Sequence, residues 1–146
     1  MVHRTTIRVH LMMIHANRVL LGRRTATSGE DGSWHAPAGH LERGESVLAG
    51  MAREAKEELG IVIAEKDLNL VQTLHLCDAE DGQGRLQLFF QPQRYEGKAA
   101  NAEQHKCAEL RFWPLDALPV PIVPCTAVAL AAIQGGRSLS VAGWQG

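Results

Sequence analysis

The chain has 146 residues, the size of one ordinary domain, and 45% of them are hydrophobic, enough for a sizeable core. Its formal net charge of −1 excludes a global field that would draw it to a nucleic-acid polymer or an anionic membrane. Cys77, Cys107 and Cys125 are far apart and odd in number, which argues against a zinc C-x-x-C pair and against a closed disulfide framework; they read as idle thiols.

Residues 5–14, TTIRVHLMMI, begin with alternation and turn apolar. Arg4, Arg8 and three histidines interrupt this end, so it has no signal-peptide core. No apolar run approaches the roughly 18 residues of a membrane span, and a soluble, cytoplasmic protein is expected. RVLLGRR follows after HAN, and two apolar runs across a short polar loop read as a hairpin of strands. TATSGEDGSW reads as a surface loop. HAPAGHLERGES, punctuated by Pro and Gly, leads into a helix at about Ser46–Leu59, which Gly60 stops. LNLVQTLHLCD and RLQLFFQPQR read as strands joined by the turn EDGQG, the second ending near Pro92. YEGKAANAEQHKCAE reads as loop, LRFW as a short strand, and PLDALPVPIVP as a Pro-broken turn or 3₁₀ segment. CTAVALAAIQGG reads as a second helix with a Gly-Gly stop, and the last ten residues as a weak tail. No repeat or linker divides the chain, so residues 1–146 are expected to form a single α/β domain, a mixed sheet covered by helices.

The first helix crowds three carboxylates. With Glu54 set at 0° and about 100° per residue, Glu58 falls at about 40° and Glu57 at about 300°, on one face. Leu48, Met51, Ala52, Ala55 and Leu59 form an adjoining apolar stripe suited to docking on a sheet. Gly50 lies on the acidic face, leaving room for a ligand or a close-packed loop. Arg53 stands beside Glu57 at i, i+4, but one arginine cannot neutralise three carboxylates. Either this is an ordinary solvated face, or a hard divalent cation with oxygen ligands sits there.

The wider spacing decides between them. Gly39, five residues, Glu45, seven residues, then Arg53-Glu54-Ala55-Lys56-Glu57-Glu58-Leu59-Gly60-Ile61 matches every position of the pattern G-x5-E-x7-R-E-U-x-E-E-x-G-U, with U aliphatic. A chance match is on the order of one in 10⁹ per starting position. The stretch resembles the box of the Nudix hydrolases, and RVLLGRR, SWHAPAGHLERGES and ELRFWPLDALP look like flanking segments of small MutT-type members.

The resemblance implies a Nudix fold, a mixed β-sheet sandwiched between helices (α/β/α), and Mg²⁺ or Mn²⁺ held against a pyrophosphate. By position, it makes Glu57 and Glu58 metal ligands, Glu54 a ligand or the base that activates water, and Glu45 the holder of an Arg53 that positions the carboxylates. The backbone at Ala38 and Gly39 would bring a carbonyl to the metal and contact substrate; many relatives have Gly-Gly there. This chemistry suits phosphoanhydride hydrolysis, which needs charge neutralisation and an oriented water.

Further expectations follow from the resemblance. Arg23 stands where related triphosphatases place a phosphate contact, against a solvated strand end. Glu103 offers another metal-binding carboxylate, with Glu109 its rival. His35 and His40 flank the APAG loop, as substrate contacts or structural residues; Trp34 reads as a loop anchor or a stacking surface. Phe89, Phe90, Phe112 and Trp113 read as core. Beyond the box, HLCDAE has neither the Pro of relatives specific for ADP-ribose nor the Tyr of those acting on dinucleoside polyphosphates. The short length and the flanking segments resemble those of MutT-type nucleoside triphosphatases, which implies a nucleoside triphosphate or dNTP cleaved to monophosphate and pyrophosphate. PVPIVPCTAV has no Asn or Asp to read a purine, which weakens an oxidised-guanine substrate. An NDP-X hydrolase acting on a nucleotide sugar or ADP-ribose-like compound is the alternative; a non-catalytic nucleotide-binding module ranks lower, since every box carboxylate is kept. A homodimer stays open.

Overall fold

A computed structural model describes residues 1–25 and 32–145; the middle of the loop expected at TATSGEDGSW lies outside the described residues. The strands are β1 (Thr6–Leu11), β2 (Ile14–His15), β3 (Arg18–Arg24), β4 (Trp34–His35), β5 (Ala38–His40), β6 (Leu68–Cys77), β7 (Gly84–Pro92), β8 (Cys107–Pro114) and β9 (Leu139–Ala142). The helices are α1 (Val47–Leu59) and α2 (Pro124–Gln134), with a 3₁₀ turn at Glu65–Asp67.

A five-stranded mixed sheet runs β5-β1-β7-β6-β9, with β1 parallel to β7 and β6 parallel to β9. In a second, antiparallel sheet β3 pairs with β2, β4 and β8. Strand alternation divides the core between the two helices. Val9, Leu11, Leu88 and Phe90 pack with Met51, Ala55 and Leu59 of α1. Met12, Phe89 and Leu74 pack with Ala129 and Leu130 of α2. This is the expected α/β/α arrangement. Among the described residues no helix is long and apolar enough to cross a membrane.

Three expectations need correction. β1 does not form a hairpin with β3; it lies inside the five-stranded sheet between β5 and β7, where a strand buried on both faces belongs. The hairpin is β2–β3 instead, turned by Ala16 and Asn17 at φ 50° and 63°, the left-handed pair that a two-residue hairpin loop needs. The weak tail contains β9, a short edge strand whose alternate residues face solvent, so it has no continuous apolar signal. Phe112 is 38% exposed rather than core, whereas Phe89 and Phe90 are buried.

Helix α1 starts and stops as its sequence dictates. Ser46 Oγ accepts the N–H of Ala49 at 3.1 Å, and Gly60 at φ 72° closes the last turn on the carbonyl of Lys56. The buried stripe of Met51, Ala55 and Leu59 fixes its rotation, which turns the glutamates toward the free edge of β5.

Candidate active site

Between α1, β5 and the loop before β8 lies a cleft of about 500 Å³. Glu54, Glu58 and Glu103 line one side; Arg8, Arg24 and His35 line another.

Arg53 organises the acidic side. Its Nε donates to Glu45 Oε2 at 2.6 Å and its Nη2 to Glu45 Oε1 at 2.9 Å. Nη1 donates to Glu54 Oε1 at 2.9 Å and to Glu57 Oε2 at 3.1 Å, and Nη2 also reaches the carbonyl of His40 at 3.1 Å. These five bonds use the whole donor capacity of a guanidinium. Glu45 also accepts the N–H of Glu42 at 2.9 Å, and the Arg53 bonds, then this one, hold its carboxyl down to about 2. The arginine's own pKa is raised by the same partner.

The glycines of the box serve close approach. A Cβ at Gly39 would overlap the carboxyl of Glu54, so the bare backbone of β5 is what admits that side chain. A Cβ at Gly50 would run into Leu41 and Glu45, so the gap on the acidic face is filled by the close-packed loop. Ala38 has no positive φ; it is an ordinary extended residue of β5, so a glycine is not required there.

The edge of β5 completes this side. The N–H of Ala38 donates to the Glu58 carboxylate. In an antiparallel strand the carbonyl of a residue faces the same way as its N–H, so the Ala38 carbonyl is directed to this edge too. Glu103 arrives by main-chain anchoring: the N–H groups of Ala100 and Ala102 donate to the carbonyls of Leu59 and Glu58, each at 3.0 Å, satisfying orphan acceptors at the end of α1.

Crowding and burial displace the titrations. Glu58 is pushed up to about 8, first by burial and then by Glu54 and Glu103. Glu54 is also raised, mainly by burial, against the pull of Arg53. His35 is lowered to about 3 by burial and then by Arg24 and Arg8, so it stands neutral.

The predicted residues are gathered unequally. Glu54, Glu58, Glu103, Ala38, Gly39, His35, His40 and Arg53 all line the cleft. Glu57 does not: it lies at the rim, 49% exposed, on Arg53. Glu103 lies with Glu54 and Glu58 in the cleft, while Glu57 is turned onto Arg53. Among the described residues, no three His, Cys, Asp or Glu side chains stand close enough together to hold a metal ion between them. Arg23 is also outside, at 3.7 Å from Glu109; strand alternation sends Gly22 and Arg24 into the cleft instead. Glu109 is therefore spent on Arg23 and Arg111. Trp34 is a buried anchor, edge-on to Trp113 with ring centroids 5.0 Å apart.

Arg8, Arg24, Asn101 and Lys106 were not anticipated as cleft residues. Arg8 alone had a visible signal. In TIRVHLMM the residues Ile7, Val9 and Leu11 fill one face, which leaves Arg8 on the other.

The donors available near Glu54 and Glu58 are hard oxygens: raised carboxylates, Glu103 and the Ala38 carbonyl. That set fits a small divalent cation, which would also relieve the crowding that lifts Glu58.

The family model described as NUDIX domain matches residues 4–132. A solved MutT NUDIX hydrolase from Burkholderia pseudomallei is 26% identical, with a TM-score of 0.78 over 88% of this chain and 98% of that one. The E. coli ORF135 protein is 21% identical, with a TM-score of 0.72 over 91% of each chain. A UDP-X diphosphatase is 18% identical, with a TM-score of 0.66 over 97% of this chain and 69% of that one, and shares the fold.

Proposed function

From the premise that this chain belongs to the Nudix family, we propose that it hydrolyses a nucleoside triphosphate or dNTP to the monophosphate and pyrophosphate, with Mg²⁺ or Mn²⁺. The observation that carries this reading is that Glu54, Glu58 and Glu103 line one cleft together with Arg8, Arg24 and Lys106. Carboxylates raised by burial and crowding have reason to take up a cation, and the arginines have reason to take up phosphates.

Glu58, Glu54, Glu103 and the Ala38 carbonyl would hold the metal, which supplies neutralisation of the phosphate oxygens and a more acidic water. Glu54 takes the proton of the attacking water: its raised pKa brings it nearer the working pH, and its bond from Arg53 fixes its position. Glu45 holds Arg53 from behind by a two-point contact. Water oxygen bonds to phosphorus, the anhydride P–O bond breaks, and the electron pair leaves with the bridging oxygen. Neutral His35 offers a hydrogen-bonding group to the nucleoside from the opposite wall.

The test is a panel of (d)NTPs, oxidised dNTPs, nucleotide sugars, ADP-ribose and dinucleoside polyphosphates with Mg²⁺ or Mn²⁺. Products are scored as pyrophosphate or phosphate, with ¹⁸O water to mark the attacked phosphorus. Pyrophosphate release from triphosphates is expected. Preference for nucleotide sugars moves the assignment to NDP-X compounds, and no hydrolysis at all overturns it.

A further inference from the structure

The acidic half of the cleft says where an anhydride would be cut, but not which way the substrate runs. The face of the main sheet opposite α1 addresses that. Along β1 it presents Thr6, Arg8 and His10; Arg8 is opposite His40 of β5 and Gln87 of β7, and Thr6 is opposite Arg85. Paired residues share a face, so these polar side chains form one continuous row. His10 closes the row toward the core, 2.5 Å from Gln87 and stacked on Phe89.

Arg8 lines the cleft, and its Nε is buried with no hydrogen-bond partner. A guanidinium nitrogen drawn out of water without a partner is costly, and a bound anion would complete it. Beyond Arg8 the row opens into a second hollow, lined by Arg4, Thr6, His40, Gln83 and Arg85 among others. His40 belongs to both hollows. The second one holds Arg4 and Arg85 and no carboxylate among its described lining residues, which suits a string of phosphates. Where β3 meets β8, Gly22, Cys107 and Leu110 lie against one another and give the cleft the uncharged surroundings that a nucleoside needs.

We infer that Arg8 seats the terminal phosphates of the substrate, the part released as pyrophosphate, and that His40 and Arg85 continue their path out of the cleft. This rests on the triphosphate reading above. It orients the substrate with its phosphate tail along the β1–β5–β7 row, and it favours substrates with an anionic group beyond the scissile anhydride over those ending in a neutral sugar.

The experiment compares Arg8→Gln, Arg8→Lys and wild type by calorimetric binding of the two products separately, inorganic pyrophosphate and a nucleoside monophosphate, with Mg²⁺ present. Arg8→Gln is expected to weaken pyrophosphate roughly ten- to hundredfold, while the monophosphate changes less than about threefold. Arg8→Lys, which keeps a charge but loses the fork, falls between wild type and Arg8→Gln. KM for the triphosphate rises in parallel, with kcat changed less. Unchanged pyrophosphate affinity in Arg8→Gln overturns the inference, as does equal weakening of both products. If Arg8→Gln does not fold, Arg8→Lys decides alone: a selective loss of several-fold for pyrophosphate supports the seat, and wild-type affinity refutes it. Wild type that binds neither product overturns the triphosphate reading itself, which separates the two failures.

Discussion

Arg53 and Glu45 are joined by two parallel hydrogen bonds, 2.6 and 2.9 Å long, and the same guanidinium carries Glu54 and Glu57 on its remaining face. A lysine keeps the charge but cannot span Glu45, Glu54 and Glu57 with a fixed fork. Arg53→Lys is therefore expected to lower kcat by about a hundredfold or more while circular dichroism stays native. Near wild-type kcat would remove Arg53 from the positioning role.

The approach of Glu54 to Gly39 makes a second expectation. In Gly39→Ala the new methyl and the Glu54 carboxyl claim the same volume. Overpacking costs about 1–3 kcal/mol, and the side chain that must yield is the proposed base. Stability drops modestly while kcat/KM falls steeply. A variant with full activity would show that Glu54 has another productive position.

Neighbouring arginines separate alternation from mere proximity in sequence. Arg24→Gln is expected to raise KM about tenfold or more, because Arg24 lines the cleft. Arg23→Gln leaves KM within about twofold, losing only an exposed pair with Glu109. Equal effects would contradict the observed strand orientation.

Buried groups set the pH dependence of stability in metal-free solution. His10 and His35 are lowered from 6.5 to about 3, chiefly by burial. The unfolded chain then takes up protons that the fold refuses, and stability is lost as pH falls below 6.5. Glu58 runs the other way: raised from 4.5 to about 8, it keeps a proton that the unfolded chain has shed, so its contribution is full below 4.5 and lost as pH rises to about 8. Each group tilts the profile by ~1.4 kcal/mol per pH unit in its window. Urea denaturation in EDTA is expected to peak near pH 6.5, because the two histidines outweigh Glu58 where the windows overlap and only the Glu58 window continues above it. Glu58→Gln flattens the alkaline flank and abolishes turnover by orders of magnitude; His10→Gln halves the histidine contribution to the acid flank. An alkaline flank that is unchanged in Glu58→Gln would refute the buried proton.

Much of this is legible in the amino-acid sequence, for a physical reason. The box residues lie within one loop–helix unit, where fixed helical angles convert spacing directly into proximity. The Ser46 cap, the Gly60 stop and the Arg53–Glu45 contact are all local in this sense. Arg8, Arg24 and Lys106 reach the cleft from three separate segments of the chain, which only sheet pairing brings together. Glu57 and Arg23 stand outside the cleft, on Arg53 and near Glu109, because position in a motif does not record which neighbour a side chain will prefer. Strand β9 was missed because a four-residue edge strand with half its side chains in water has almost no periodic signal.

The moorings of Ala100 and Ala102 to the end of α1 are made by peptide groups, so no particular side chain specifies them. What they specify is a count: the number of residues from Gly60 to Glu103 that lets the loop reach those carbonyls and still deliver its carboxylate. This part of the site is thus written in chain length rather than in letters. Exchanging the side chains of Ala100 and Ala102 for other small ones would pass over it, whereas the insertion of one residue between Ala102 and Glu103 would withdraw the carboxylate from Glu58 without altering a single amino acid of the site.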